Sequence, residues 1–163
     1  MDEATFMRRF NEWQSSLIER EQYDRTDMPK YDELCALYLE ATPEQRKRLP
    51  PMIAPPETKE GNYQWGHLVA YMHWVSERIH NPEDVQHLRL GIAAAALAEN
   101  PVDWRDNLGA YAVLHHAARK AGINPKPHFK EIADMANPEA RSSIRAFLSR
   151  SKRDIDELVR PFV

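Results

Sequence analysis

The sequence predicts an all-α fold, and three of its features support that prediction. Apolar residues recur every three or four positions along most of the chain, which is the spacing of one helix face. Only five glycines and few alternating β-branched residues are present, which leaves little room for strands. Four segments begin with a capping residue followed by proline, a pairing typical of helix starts: Thr42-Pro43, Asn81-Pro82, Asn100-Pro101 and Asn137-Pro138.

We therefore expect a single compact domain, residues 1–163, of seven to nine helices around a central antiparallel helical hairpin. The hairpin is predicted between Asn81 and Gly122. Its first helix begins at Asn81 and is apolar on two faces, which is typical of a helix with neighbours on both sides. The connection at Glu99-Asn100-Pro101 is tight, and the second helix ends at Gly122, the expected position of a left-handed glycine.

Each hairpin helix has one interior glycine, Gly91 or Gly109. Because a glycine inside a helix costs about 1 kcal/mol relative to alanine, both need a reason. One interpretation is that two helices approach closely at these positions. The alternative is an open patch on the second helix, in which Gly109 leaves a notch between Arg105 and His116.

Three helices are predicted in the N-terminal region, residues 1–48. The first covers residues 3–21 with Asp2 as its cap, and the second covers residues 28–40. The third is short, because it starts at Thr42 with capping-box spacing to Gln45 and is stopped by Pro50. Their predicted inward-facing residues are Phe6, Phe10, Trp13, Leu17, Tyr31, Leu34, Cys35, Tyr38 and Leu39.

The segment 49–62 is rich in proline and is predicted to be irregular. Its two proline pairs favour extended, polyproline-like chain, while Met52 and Ile53 between them are apolar. Three interpretations stay open: a strap packed on the domain, a mobile flap, or an element that binds a partner.

The C-terminal helical body, residues 63–163, begins with a helix over residues 63–80. Beside its apolar stripe lies an aromatic shoulder, which is either the edge of the core or the lining of a groove. The shoulder consists of His67, Tyr71, Trp74 and Arg78. After the hairpin, helices are predicted over residues 127–136 and from Asn137 onward. A last amphipathic segment, from Ile155 to Phe162, docks on the body or on a partner.

Composition limits the classes of partner and site. The net charge of −3 argues against bulk attraction to nucleic acid or an anionic membrane. Two basic clusters are the exception, and we interpret them as solvated helix faces: Arg46, Lys47, Arg48 and Arg150, Lys152, Arg153. No apolar run reaches 18 residues and the first residues are acidic, so we expect no membrane span, no signal peptide and a cytoplasmic location.

No catalytic motif stands out, and whether the protein is an enzyme stays open, with a non-enzymatic role favoured. The lone Cys35 is predicted to be a buried thiol. The spacing Glu77-x-x-His80 lacks the second copy that a di-iron site needs, so we expect no metal and no cofactor. His115 lies on an apolar stripe and is predicted to be a buried neutral imidazole, hydrogen-bonded to a carbonyl or tyrosine hydroxyl, with a pKa below about 6.5.

The hairpin also resembles a known family. The stretch Asn81-Pro82-Glu83 through Leu88-Arg89-Leu90-Gly91-Ile92-Ala93-Ala94, with its partner helix, resembles α-hairpin repeat proteins of the HEAT-like kind over about a third of the chain. No period of about 40 residues repeats cleanly. The resemblance implies binding to another macromolecule.

Two functions from different classes remain. The first is a non-enzymatic protein–protein interaction module of the bacterial inhibitor or immunity type, which binds another protein or itself through the aromatic shoulder. The second is a small-ligand protein or enzyme with a pocket lined by Trp104, Arg105, Tyr111 and either His115 or His116. This second function requires a closed concave pocket that contains at least two of those side chains. Nucleic-acid binding is the least favoured function.

Overall fold

The structure is a computed structural model that describes residues 1–17, 28–50, 68, 71–99 and 108–162. These residues contain nine α-helices and no strand, which confirms the all-α prediction. In chain order they are α1 (Glu3–Leu17), α2 (Met28–Glu40), α3 (Pro43–Arg46), α4 (71–76), α5 (Val85–Ala98), α6 (Leu108–Lys120), α7 (Lys126–Met135), α8 (Pro138–Leu148) and α9 (Lys152–Val159). Two 3-10 turns, Pro82–Asp84 and Arg160–Phe162, precede α5 and follow α9.

Side-chain caps fix the starts of several helices, as the sequence predicts. The carboxylate of Asp2 accepts a hydrogen bond from the backbone N–H of Thr5 at 2.9 Å. Thr42 and Gln45 form the predicted capping box, in which each side chain accepts from the other residue's N–H, at 3.2 and 2.9 Å. Asn137 caps α8 at 2.8 Å. Local sequence therefore specifies where these helices begin.

The start of the hairpin differs from the prediction by one turn. The Asn81 side chain accepts from the N–H of Glu83 at 3.0 Å, and the Asp84 carboxylate accepts from the N–H groups of His80 and Asn81 at 2.8 and 3.1 Å. These bonds hold a 3-10 turn at Pro82–Asp84, so that α5 begins at Val85. The cap prediction is confirmed, and the predicted α-helical first turn is wrong.

Helix α4 also ends earlier than predicted. Its described helical residues end at Ser76 rather than near residue 80, and a turn follows. In this turn the N–H of Arg78 donates to the carbonyl of Val75 at 2.9 Å. This bond joins residues three positions apart, as is common at a helix end. Ile79 is buried as predicted, but it lies beyond the helix.

Helix α5 is the centre of the fold. It contacts α2, α6, α7 and α8, and nine of its 14 residues are buried. Its Gly91 confirms the predicted close approach, because a Cβ atom there would lie 2.6 Å from Leu114 Cδ2 of α6 and 3.1 Å from Val75 Cγ1 of α4. The run Ala93–Ala96 is fully buried beside it, so small side chains let the neighbouring helices approach α5 closely.

Helix α6 ends in the predicted glycine cap. Gly122 has φ +83°, in the left-handed region that L side chains rarely adopt. The N–H of Ile123 donates to the carbonyl of Ala118 at 2.8 Å, and the N–H of Gly122 donates to that of Arg119 at 3.1 Å. This pair of bonds is the Schellman motif. The predicted tight connection at residues 100–101 lies outside the described residues, as does the start of the second hairpin helix.

The remaining helices cover the hairpin. Helix α1 packs on α2, α7 packs on α8, and α9 packs on α6. Ile155 and Val159 of α9 are buried, so the last amphipathic segment docks on the body of the protein. Leu49, at the start of the proline-rich segment, is buried as well. The choice among strap, flap and binding element rests on residues 51–62, which lie outside the described part.

None of the helices in the described part of the chain is long and apolar enough to cross a membrane.

Candidate functional site

Three of the six predicted site residues have a described position. Tyr71 is fully buried, and Trp74 is half-buried on the same helix, α4. His116 is exposed on α6. The other three predicted residues, His67, Trp104 and Arg105, lie outside the described residues, so their part of both hypotheses stays a prediction.

Two residues of the aromatic shoulder, Tyr71 and Trp74, form an internal contact between helices. The hydroxyl of Tyr71 donates to Asp32 Oδ1 at 2.5 Å, and Trp74 Nε1 donates to Asp32 Oδ2 at 3.4 Å. Burial, followed by the nearby Cys35 and Asp32, raises the pKa of Tyr71. The groove interpretation is therefore wrong for Tyr71, because its whole side chain is covered and its hydroxyl holds α2 and α4 together.

The lone cysteine is a buried thiol, as predicted. Cys35 has no exposed surface and its pKa is raised, mainly because burial disfavours the thiolate. Since the thiolate is the reactive form, this residue is a poor nucleophile. Among the described residues, no group of three His, Cys, Asp or Glu side chains is placed to hold a metal ion.

The first basic cluster is used within the fold. Arg46 Nε donates to the carbonyl of Tyr38 at 2.8 Å, at the end of α2. Arg48 forms an ion pair with Glu3 at 2.6 Å, and its guanidinium lies over a buried phenylalanine ring. Lys47, directly after α3, forms an exposed ion pair with a glutamate of that helix at 3.2 Å. Each cation thus has a partner inside this chain.

A groove of about 530 Å³ lies where α2, α5 and α7 end, and we call it the helix-end groove. Its lining comes from the last turns of these three helices, from α3 and the residues that follow it to Leu49, and from the start of α8. Apolar surface predominates, from residues such as Leu97 and Met135. The volume lies within the range of about 300–1,000 Å³ that ligand pockets occupy.

A buried carboxylate and an aromatic hydroxyl lie in this groove. Glu99 follows α5 and is 6% exposed, and Tyr38 of α2 is 4% exposed. Burial raises the pKa of Tyr38 to about 12; Arg46 opposes that shift, while Cys35 and Glu99 add to it. The phenol therefore stays protonated at neutral pH, as a hydrogen-bonding group rather than a base.

Arg141 fixes one wall of the helix-end groove. Its guanidinium donates to the carbonyls of Ala133, Asp134 and Ala136, at 3.2, 3.3 and 3.1 Å. The carbonyl of Ala133 also accepts from the N–H of Ala136 at 3.2 Å. The arginine therefore adds to the hydrogen bonds at the end of α7 and orders the α7–α8 corner.

A second cavity, of about 310 Å³, lies between α6 and α9, and we call it the α6–α9 pocket. Of the side chains that the ligand hypothesis combines, it contains the two alternative histidines, His115 and His116. It does not contain Tyr111, which is fully buried against Phe129 and Phe147 at ring-centroid distances of 5.9 and 6.0 Å. The prediction that Tyr111 lines the ligand pocket is wrong, because its ring is a core residue.

His115 is half-buried rather than fully buried. Its pKa is lowered, first by burial and then by the charge of Arg119, as predicted for a histidine on an apolar face. The predicted hydrogen bond is absent at Nδ1, which is buried and has no partner among the described residues. The imidazole instead packs edge-on against Phe147 at 5.6 Å.

The sequence reasoning missed the helix-end groove. Tyr38 was predicted to face inward, and Glu99 was assigned to a connection. One signal was available: Glu99 is an acidic residue directly after the apolar run of α5, where a helix that lies in the core must end. Nothing in the spacing of Arg141 predicts its three carbonyl partners.

Comparison of the chain with models of known protein families, with curated proteins and with solved structures finds no match. The HEAT-like resemblance of the hairpin stays a prediction.

Proposed function

We propose that this protein is a non-enzymatic protein–protein interaction module whose helix-end groove receives apolar side chains of another protein. The observation that carries the proposal is the groove itself, an apolar depression of about 530 Å³ bordered by charged residues. A buried apolar anchor surrounded by a polar rim is the usual anatomy of a protein interface.

Three groups that could act as nucleophiles or bases are held in their protonated, unreactive forms, which supports a binding role. The thiol of Cys35 and the phenols of Tyr38 and Tyr71 are buried, and burial raises the pKa of each. All three stay protonated at neutral pH, where a nucleophile or a general base has to lose its proton.

The charges of the two rims indicate how a partner would be oriented. Arg46 and Lys47 lie on the α3 side of the groove. Asp134 and Glu139 lie on the α7–α8 side, where the guanidinium of Arg141 is bonded to backbone carbonyls. A partner segment with an acidic residue before its apolar anchor and a basic residue after it would match these rims in one direction only. Opposite rims of opposite sign thus favour one binding direction.

The test is a native mass spectrum of the tagged protein, purified gently from its own host. The groove variant is Met135→Glu, at a half-buried lining residue, and the matched control is Met7→Glu. Met7 is 37% exposed on α1 and does not line the groove. We expect a second polypeptide to accompany the wild type and Met7→Glu, and to be lost from Met135→Glu, which stays folded although the new carboxylate lowers its melting temperature.

Three results would contradict the proposal. A polypeptide retained by both variants would assign the interaction to another surface. A homodimer that Met135→Glu dissociates would assign the groove to a second copy of this chain instead of a different protein. A monomer with no companion in all three preparations would leave the groove without its expected occupant.

A further inference from the structure

The α6–α9 pocket has an excess of positive charge that the fold does not use. Arg119 and Lys120 lie in the last turn of α6, and Lys152 is the first residue of α9. Within the described part of the chain, none of these three cations forms an ion pair. By contrast, Arg89 on α5 is held at 2.9 Å by Glu131. The pocket cations are therefore available to an external anion.

The floor of the pocket presents a positioned imidazole. The His115 ring packs against Phe129 and Phe147, at centroid distances of 6.2 and 5.6 Å, and both phenylalanines are fully buried. This packing fixes the orientation of the ring. A neutral imidazole has one N–H donor and one acceptor, and His116 adds a second, exposed imidazole at the rim.

One carboxylate accompanies these cations. Asp156 of α9 lines the same pocket, so three permanent cations face a single permanent anion. A carboxylate disfavours a bare anion but accepts hydrogen bonds from hydroxyl groups. The lining therefore suits a ligand that has an anionic group at one end and a hydroxyl donor at the other.

We propose that the α6–α9 pocket binds a small phosphate monoester that carries a hydroxyl group. Arg119, Lys120 and Lys152 bind the phosphate oxygens, His115 contributes its N–H donor, and Asp156 accepts from the hydroxyl. The volume of about 310 Å³ is at the lower end of the range for ligand pockets, which limits the ligand to a small metabolite. This site is separate from the helix-end groove and does not depend on the protein-interaction proposal.

The test is calorimetric titration of the full chain at low ionic strength with glycerol 3-phosphate and with inorganic phosphate. We expect glycerol 3-phosphate to bind more tightly, because only this probe offers hydroxyl groups to Asp156. In parallel, imidazole nitrogen spectra are expected to show shifts of the His115 and His116 signals as the probe is added.

Matched variants distinguish binding in the pocket from general attraction of anions to surface charge. Arg119→Gln and Lys152→Gln each weaken the binding of both probes by about threefold or more, as expected for loss of one partly solvated charge contact. The control is Arg150→Gln, at an exposed residue that does not line the pocket, and it leaves both affinities unchanged. Asp156→Ala strengthens the binding of inorganic phosphate and removes the preference for glycerol 3-phosphate.

Three outcomes overturn the proposal. The first is that neither probe binds. The second is that Arg150→Gln weakens binding as much as Lys152→Gln, which would indicate general attraction of anions, nucleic acid included, to this surface. The third is that wild type shows no preference between the probes. All four variants change exposed side chains, and circular dichroism checks that each is folded.

Discussion

The hydroxyl of Tyr71 joins two helices through one carboxylate. It donates to Asp32 at 2.5 Å from a fully buried position. Tyr71→Phe removes that bond and leaves the ring in place, so we expect a loss of about 1.5–3 kcal/mol in the free energy of unfolding. Tyr71→Ala also leaves a cavity, and we expect a loss of about 3–5 kcal/mol. Urea denaturation measures both; a Tyr71→Ala variant as stable as wild type would return Tyr71 to the surface.

His115 makes stability depend on pH in a range where carboxylates do not titrate. Burial lowers its pKa in the folded protein, with Arg119 and His116 adding to that shift and Asp156 opposing it. As the pH falls below about 6.5, the unfolded chain therefore takes up this proton first, and stability decreases until the pH passes the folded pKa.

We expect His115→Gln to reduce the loss of stability between about pH 7.5 and about pH 5.5, because it removes that titration. Urea denaturation at the two pH values measures the loss. The matched control is His116→Gln, at the exposed neighbour, which should retain most of the wild-type loss, because His116 makes the smallest contribution to the pKa shift of His115. Equal losses in wild type and His115→Gln would show that another group is responsible.

At the scale of elements, the contact of α5 with α6 depends on the missing side chain of Gly91. A Cβ there would lie 2.6 Å from Leu114 Cδ2, and Leu114 is fully buried and has little space to move into. We expect Gly91→Ala to lose about 1–3 kcal/mol from overpacking, although alanine favours the helix by about 1 kcal/mol. Thermal unfolding tests this, and a rise in melting temperature would mean that α6 can shift.

The end of α6 depends on a backbone conformation rather than on space. Gly122 has φ +83°, and the nearest atom to an added Cβ is a Pro82 carbon at 3.5 Å, an ordinary contact. Gly122→Ala should therefore cost about 1–2 kcal/mol from the left-handed conformation alone. Gly122→Asn should cost less, because asparagine tolerates that region better. Measuring the free energy of unfolding of both variants tests this expectation. Equal losses would contradict a conformational cause.

Across the whole molecule, packing predicts the order of local opening. Helix α5 contacts four other helices, whereas α1 packs mainly on α2 and α9 mainly on α6. We expect the amides of α5 to exchange with solvent most slowly, at the rate of global unfolding, and those of α1 and α9 earlier. Hydrogen exchange followed by mass spectrometry measures this, and early exchange in α5 would show that the hairpin does not hold the fold together.

The structural features that could be predicted from the sequence are those that depend on local patterns. Caps at Asp2, Thr42 and Asn137 and the glycine at Gly122 depend on residues a few positions apart, and the structure confirms them. The apolar stripes likewise placed Cys35 in the core.

Contacts between distant segments were not predictable in the same way. The bond of Tyr71 to Asp32 joins residues 39 positions apart, and no spacing rule indicates it. The helix-end groove likewise depends on where α2, α5 and α7 stop relative to one another. A periodic pattern shows which face of a helix is buried, but it does not show which other helix covers that face.

The alanines at the centre of α5 also limit how this sequence can vary. Each residue from Ala93 to Ala96 is at most 1% exposed. An alanine side chain has no alternative rotamers. Every replacement except glycine adds atoms where helices already touch, and glycine weakens the helix. Outer positions can exchange one aliphatic residue for another of similar volume. In a collection of random variants, we therefore expect the smallest residues of the core to be the least replaceable.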